Sequence, residues 1–112
     1  MIKLTVLVKR NPALSIEDFH EKWRAHGRMI AGEPAFARFI RRYEQHHRVR
    51  ADYQTGDTHD GMAVQWFDTH ADFIALLQTP EYAAKMQPDE ARILDLSGMV
   101  VLFTEEAEVF IP

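Results

Sequence analysis

Cysteine is absent from the sequence. Its absence excludes disulfide bonds, thiolate catalysis and zinc or iron–sulfur centres held by cysteine. Long hydrophobic runs are also absent, since no segment approaches the ~20 apolar residues of a membrane-spanning helix. The opening residues, MIKLTVLVKR, form only a short apolar run split by Lys3 and lack the organisation of a signal peptide. We therefore expect a cytoplasmic protein with no membrane partner.

Positive charge is not in excess either. The chain has 13 Lys and Arg against 17 Asp and Glu, a formal net charge of −4. Binding to a nucleic-acid backbone requires concentrated positive charge, so we expect no nucleic-acid partner. A hydrophobic fraction of 46% and a charged fraction of 27% are ordinary for a folded protein. A length of 112 residues predicts a single domain that spans residues 1–112.

The predicted secondary-structure elements follow the order β-α-β-β-α-β. Aliphatic and β-branched runs predict the strands, and apolar residues at helical spacing predict the helices. Ser15 and Asp68 or Thr69 are the predicted N-caps of the two main helices. The predicted strands are 2–9, 37–49, 62–67 and 99–104, and the predicted helices are 15–30, a second from residue 69 that Pro80 interrupts, and a short one at 88–96. The second strand is long enough to contain a bulge, and residues 50–61 are expected to form a surface loop.

This order is that of the ferredoxin-like plait, an α+β fold with a four-stranded antiparallel sheet. Two main helices cover only one face of such a sheet. The last strand, MVVLF, is apolar on both of its sides, and exposed apolar faces of this kind usually mark a partner surface. We therefore predict a homodimer in which the exposed sheet faces of two copies pack together.

The stretch RRYEQHHRV, residues 41–49, reads as a strand with unusual polar content on both sides. Because side chains alternate along a strand, we expect one side to carry Phe39, Arg41, Tyr43, Gln45 and His47. Aromatic walls with a few hydrogen-bonding groups are typical of a ligand pocket. The arginines within residues 38–50 suit an anionic ligand, but such runs are more often a solvated face paired with nearby acids.

Two histidines are the candidate catalytic residues. His26 lies on the apolar face of the first helix, three positions after Trp23. We expect His26 and His47 to approach one cavity as an acid–base pair. Tyr43 and Gln45 would orient a substrate there, with Trp23, Phe39 and Trp66 as apolar walls. Structural alternatives stay open: His26 as a hydrogen-bonded core residue, His47 as a solvated strand end, and both tryptophans as core.

Other site types have no support in the sequence. The six histidines show no HExxH or similar ligand spacing, so we expect no metal. There is no G-x-S-x-G around a serine and no phosphate-binding glycine loop, so we expect neither a serine nucleophile nor a nucleotide cofactor.

Several pieces together resemble the EthD-type dimeric α+β barrel proteins. They are VKRNPALSIEDFHEKWRAHG, RRYEQHHRV, HDGMAVQWFD and PDEARILD, which follow the family's order from Val8 to Asp95. The resemblance implies a ferredoxin-like protomer whose sheet packs against its twin, with a cleft between sheet and helices. Residues 26–34 also resemble, more weakly, the methylmuconolactone isomerases through His26, Met29, Ala31, Gly32 and Pro34.

The resemblance also implies small-molecule chemistry, because family members are linked to ether degradation or look like decarboxylases or dehydratases of polyketide-like aromatics. We expect a cofactor-free isomerisation, dehydration or decarboxylation of a small cyclic or aromatic compound. A non-catalytic binding protein for a small hydrophobic ligand needs the same pocket and is the alternative.

Overall fold

A computed structural model describes residues 1–56 and 58–112. The strands are β1 (Ile2–Val8), β2 (Ile40–His47), β3 (Gly61–Phe67) and β4 (Val100–Thr104), and the α-helices are α1 (Ile16–Gly32), α2 (Pro34–Ala37), α3 (His70–Leu77) and α4 (Gln87–Ile93). A π-helical segment, Tyr82–Met86, leads directly into α4, and two 3₁₀ helices lie at Arg50–Thr55 and Leu96–Gly98. No helix of these described ranges is long and apolar enough to cross a membrane.

The four strands form one antiparallel sheet in the order β2-β3-β1-β4. With the helices between the strands, this is the ferredoxin-like plait that the sequence predicts. The core lies between the sheet and the helices, in two clusters. One surrounds Phe36 and Phe67, and the other surrounds Phe19 and Trp23. The remaining core residues are the apolar strand side chains that point toward the helices.

Helix α1 is the element that carries the site, and its sequence explains its placement. The Ser15 hydroxyl accepts a hydrogen bond from the Asp18 N–H at 3.1 Å, which caps the first turn as predicted. The buried stripe consists of Phe19, Trp23, His26 and Ile30. This spacing of three and four residues places one face of the helix on the sheet. His26 is therefore held in the interior by the same periodicity that buries its apolar neighbours.

Strand β2 is shorter than predicted and contains the predicted bulge. Its pairing with β3 shifts between Ile40 and Arg42, which leaves Arg41 as the extra residue. The predicted strand began at residue 37, but residues 34–37 form the short helix α2, where Pro34 suits a first turn. After the bulge, Tyr43, Gln45 and His47 point toward the helices. Arg42, Glu44 and His46 consequently lie on the opposite side of the sheet.

The side of the sheet without helices is called the open face below. Residues Lys3, Thr5, Leu7, Met62, Val64, Trp66, Val100 and Leu102 point to it, together with the three polar residues of β2 just named. Leu102 is 58% exposed and Val100 is 49% exposed. The predicted surface loop at 50–61 contains a 3₁₀ helix at its start, and its Asp57 lies outside the described residues.

Candidate active site

A cavity of about 270 Å³ lies between the sheet and the helices. We call it the sheet–helix cavity. Its walls include Leu4, Val6 and Val8 of β1 and Phe73, Leu76 and Leu77 of α3, so most of the lining is apolar. Its polar groups come from Trp23, His26, Tyr43, Gln65, Tyr82 and Glu90. Apolar walls with a few convergent polar groups are typical of small-molecule sites, and the volume is near the lower end of the usual ~300–1,000 Å³.

The His26 imidazole is the candidate proton-transfer group in this cavity. Its ring is buried, and its Nδ1 lies 2.7 Å from the Asp89 carboxylate of α4. The Arg92 guanidinium donates to the other oxygen of Asp89 at 3.0 Å. A carboxylate that accepts from Nδ1–H fixes the tautomer, so Nε2 carries the lone pair. This pair is the arrangement that an imidazole base requires.

Three further groups of the cavity are oxygen acids. Burial raises the pKa of the Tyr43 phenol, and burial raises the pKa of Tyr82 to about 12. Burial and the charge of Asp89 also raise the pKa of the Glu90 carboxyl. Within the described part of the chain, Oε1 of Glu90 is buried without a hydrogen-bond partner. The phenols are therefore protonated donors at neutral pH, and Glu90 has an oxygen free for a ligand.

The π-helical segment places Tyr82 and Glu90 beside each other. A π turn inserts one residue relative to α-helical winding, and such segments are frequent at functional sites. Here Tyr82 begins the segment, and Glu90 follows in the first turn of α4. The two side chains are eight positions apart, and both line the cavity.

His47 does not line this cavity, so the prediction that His26 and His47 approach one cavity is wrong. His47 lies with His20, Arg24, Arg48 and Tyr53 in a separate surface pocket. The Trp23 ring lies 4.5 Å from the His47 ring, while the same indole lines the sheet–helix cavity with His26. Tryptophan thus separates the two imidazoles. The misplacement arises because strand alternation predicts a side of the sheet and not a position along it.

His47 instead belongs to a directional hydrogen-bond chain. Gln45 Nε2 donates to the Trp23 carbonyl at 2.7 Å and to the Tyr43 hydroxyl at 3.0 Å, so its Oε1 is an acceptor. His47 Nε2–H must then donate to that oxygen at 3.0 Å. His47 Nδ1 accepts from His20 Nδ1–H at 2.6 Å, and the Tyr53 hydroxyl donates to His20 Nε2 at 2.8 Å. The chain ends on Tyr43 and therefore orients a group of the cavity.

This chain requires a neutral His47, because His47 Nδ1 accepts from His20 Nδ1–H. Burial lowers the pKa of His47 to about 4, with further contributions from Arg24 and His20. Burial and Arg24 also lower the pKa of His20. A proton on His47 Nδ1 would place two N–H groups against each other across the 2.6 Å contact with His20. The His20 and His47 side chains are therefore uncharged at physiological pH.

Two predicted wall residues lie elsewhere. Trp66 points to the open face, where Lys3 and Arg42 approach its ring to 5.8 and 5.7 Å. Phe39 packs against the core cluster around Phe36, and the Arg38 guanidinium covers its ring at 4.5 Å. Phe39 precedes the Arg41 bulge, so the alternation that places Tyr43 does not extend back to it. Of the predicted site, the cavity contains Trp23, His26 and Tyr43, and Gln45 supports Tyr43.

Most arginines of residues 38–50 pair with acids. Their partners are Asp68 for Arg41, Glu44 for Arg42, Asp52 for Arg48 and Glu17 for Arg50. None of these arginines lines the sheet–helix cavity. An anionic ligand in that cavity consequently has no guanidinium to bind.

The sequence interpretation missed Asp89, Glu90 and Tyr82 as site residues. A signal was present, because the PDE of PDEARILD places two acids in the first turn of a short helix. Their approach to His26 depends on tertiary packing across 63 positions of chain, which no local pattern reports. Among residues 1–56 and 58–112, no group of three or more potential ligands could hold a metal ion.

Comparison with known families tests the resemblance. The sequence profile described as the EthD domain matches residues 11–97. The chain belongs to the EthD family. The match includes α1 with His26, the strand with Tyr43 and the α4 acids Asp89 and Glu90, so the polar groups of the candidate site lie within the matched residues.

Solved structures share the fold at low sequence identity. A dimeric ferredoxin-like protein of unknown function from Bacteroides fragilis is 20% identical with a TM-score of 0.70, covering 94% of this chain and 95% of its own. A DABB-family protein from Mesorhizobium loti is 11% identical with a TM-score of 0.68, covering 96% and 97%. A protein described as an antibiotic biosynthesis monooxygenase is 13% identical with a TM-score of 0.63, covering 96% and 100%. No curated protein matches the chain in sequence.

Proposed function

We propose that this EthD-family protein is an enzyme that performs cofactor-free proton-transfer chemistry in the sheet–helix cavity. The reaction class is isomerisation, dehydration or decarboxylation of a small cyclic or aromatic compound. The observation that carries the proposal is the His26–Asp89 pair at 2.7 Å, with His26 in the wall of a cavity that also holds Tyr43, Tyr82 and Glu90. A base and several acids that share one apolar space are the parts this chemistry needs.

The roles follow from protonation states. His26 Nε2 takes a carbon-bound or hydroxyl proton, and Asp89 stabilises the imidazolium that results. The phenols of Tyr43 and Tyr82 are donors for a carbonyl or enolate oxygen on the same substrate. Such donors act strongly in a water-poor site because they are already oriented. Trp23 supplies an apolar wall, and the Gln45–His47–His20 chain holds Tyr43 in place.

The lining also indicates the class of substrate. The cavity holds the acid Glu90 and lacks Arg and Lys among the described residues. A carboxylate or phosphate ester would meet no counter-charge there, and burial of an unpaired anion is costly. We therefore assign a neutral ring compound that carries a carbonyl or hydroxyl oxygen.

Hydrogen–deuterium exchange tests the proposal without knowledge of the product. A panel of small cyclic ketones, lactones and phenols is incubated with the protein in D₂O, and loss of carbon-bound protons is followed by NMR. Exchange on at least one compound is expected. His26→Asn should slow it by about 10²–10⁴-fold, the usual contribution of a general base. Asp89→Asn should slow it by at least about tenfold, because the imidazole loses its orienting carboxylate.

His46→Asn is the matched control, since His46 lies on the open face and contacts Glu44. The His46→Asn variant should catalyse hydrogen–deuterium exchange at the wild-type rate. If His26→Asn and Asp89→Asn also retain that rate, the proton-transfer assignment is wrong. Binding without exchange, weakened by Trp23→Ala and not by His26→Asn, would instead establish the alternative, a ligand-binding protein. The buried His26–Asp89 hydrogen bond would then be structural.

We further propose that the protein is a homodimer formed through the open face. Support comes from the exposed apolar side chains of β4 and from the Bacteroides fragilis neighbour, which is described as dimeric. A solution mass near twice 13.0 kDa is expected from light scattering, and a mass of a single chain at micromolar concentration would contradict it.

A further inference from the structure

The chain after β4 is both acidic and apolar. Residues 105–112, called the C-terminal arm below, contain Glu105, Glu106 and Glu108 followed by Val109, Phe110 and Ile111. These three apolar side chains are 68%, 86% and 91% exposed. Three consecutive large apolar residues in water are unfavourable, since burial of apolar surface is the main favourable contribution to association. The arm therefore has the composition of a segment that docks on a surface.

A complementary surface lies at the opposite edge of the sheet. A groove of about 540 Å³ runs between α1 and the edge strand β2, and we call it the β2 groove. Its apolar lining comes from Ile30, Ala31, Ala37 and Ile40, and Gly27 also lines it. Four arginines surround it: Arg24, Arg28, Arg41 and Arg42. Apolar lining with a basic rim matches an arm of apolar residues preceded by three carboxylates.

Two rim arginines have unused charge. Arg41 and Arg42 pair with Asp68 and Glu44. Arg24 and Arg28 are exposed, and neither forms an ion pair with a carboxylate of the described residues. In the arm, Glu106 lies 3.8 Å from the N-terminal ammonium of its own chain, and Glu105 and Glu108 offer partners of the required sign.

The sheet register brings an arm and a groove together only between protomers. β4 and β2 are opposite edges of the sheet, with β1 and β3 between them. The arm begins after Thr104, which pairs with Lys3 of β1. The same row of the sheet continues through Trp66 of β3 to Arg42 of β2. When two open faces pack about a two-fold axis parallel to the strands, β4 of one copy lies over β2 of the other. The arm then starts at the level of Arg42, at the mouth of the β2 groove.

We propose that the C-terminal arm of one protomer lies in the β2 groove of its partner, with Phe110 buried among the apolar residues and the glutamates facing Arg24 and Arg28. This inference rests on the homodimer proposed above. Because the groove also contains Tyr43 and Gln45, the arm would cover the outer side of the residues that hold the cavity tyrosine. The partner thereby becomes part of the support of each active site.

The absence of cysteine makes the test direct. Ala31→Cys lies in the groove and Val109→Cys lies in the arm. The two single variants are mixed so that their subunits exchange, and the mixture is treated with a short bis-maleimide. One variant carries a tag, so that a cross-linked pair of the two variants has its own mass. A cross-linked species of the mixed mass is expected. Lys22→Cys, on the side of α1 that lines a different surface pocket, is the matched control, and it should give at least tenfold less mixed product with Val109→Cys.

Charge exchange provides an independent measurement. Arg28→Glu should raise the dimer dissociation constant about tenfold, and adding Glu108→Arg should recover most of that loss. A dimer by light scattering without selective cross-linking overturns the arm proposal and leaves the dimer intact. A single-chain mass overturns both. Equal cross-linking from Ala31→Cys and Lys22→Cys also overturns the arm proposal, because it reports random contact.

Discussion

At the scale of single residues, the sequence indicated which groups are buried and could not indicate which of them meet. The helical spacing of Trp23 and His26 and the aromatic at Tyr43 sufficed to place these three toward the core. The partner of His26 is Asp89, 63 positions away, and the partner of His47 is His20, 27 positions away. Such contacts depend on how α4 and α1 pack. The hypothesis of two cooperating histidines failed at this step.

The neutral histidine pair predicts a pH dependence of folding. The folded pKa of His47, about 4, lies below the ordinary value of 6.5. The unfolded chain therefore binds a proton at higher pH than the folded chain, so stability is fully present above about pH 6.5 and falls as the pH drops toward 4. The pocket is partly open to solvent, so we expect a loss on the order of 1 kcal/mol between about pH 7 and pH 5.

Urea unfolding at the two pH values measures this loss. His47→Gln removes the titrating group and should flatten the dependence between about pH 7 and pH 5, whereas the exposed neighbour His46→Gln should keep the wild-type slope. Other charged or titratable groups also face the histidine pair, namely Arg24, Glu17, Asp60 and Tyr53. Their contribution to the pH dependence is common to the wild type and both variants. An unchanged slope in His47→Gln would show that the pair does not govern acid stability.

At the scale of elements, periodicity predicted the strands and main helices, because burial on one face leaves a pattern in the sequence. The Arg41 bulge was anticipated from the length of the polar strand. The π-helical winding of Tyr82–Met86 was not predicted. The short helix α2 was not predicted, and its last residue, Ala37, was assigned to the following strand.

The approach of β3 to α1 gives a prediction about one glycine. A Cβ on Gly61 would lie 2.5 Å from Cζ3 of Trp23 and 2.8 Å from the His46 carbonyl oxygen. Gly61→Ala should therefore push the indole away or separate the strands, at a cost of roughly 1–3 kcal/mol in the free energy of unfolding. Because Trp23 also lines the sheet–helix cavity, tryptophan fluorescence should shift in the folded variant.

Gly32→Ala is the matched control. Gly32 is the last residue of α1, and nothing lies within 4 Å of an added Cβ there. Alanine is the better helix former by roughly 0.5–1 kcal/mol, so this variant should be as stable as the wild type or slightly more stable. Chemical denaturation of both variants gives the comparison. Equal stability of the two would mean that β3 and α1 are more loosely packed than their contacts indicate.

At the scale of the whole molecule, the sequence indicated the open face through the doubly apolar β4 strand, and the structure shows no helix of the described residues that covers it. Family membership adds the expectation that such a face meets a second copy. The C-terminal arm belongs to the same scale, because its apolar residues Val109, Phe110 and Ile111 are exposed within one protomer. A single chain therefore leaves two apolar surfaces exposed, the open face and the arm.

The open face yields the last prediction. Leu102 is 58% exposed and lies opposite Thr5 on β1, within the surface that we propose to be buried between copies. In an isologous interface each substitution occurs twice, so Leu102→Glu would place two unpaired carboxylates in one apolar contact. We expect the dimer dissociation constant to rise on the order of 100-fold or more, measured by light scattering or sedimentation over a dilution series.

Ile74→Glu is the matched control. Ile74 lies on the helix layer, away from the open face, and is 38% exposed, so this variant should leave the dimer dissociation constant within about twofold. If Leu102→Glu and Ile74→Glu dimerise alike, the two copies do not meet through the open face. The partner contribution to the β2 groove would then have no structural basis.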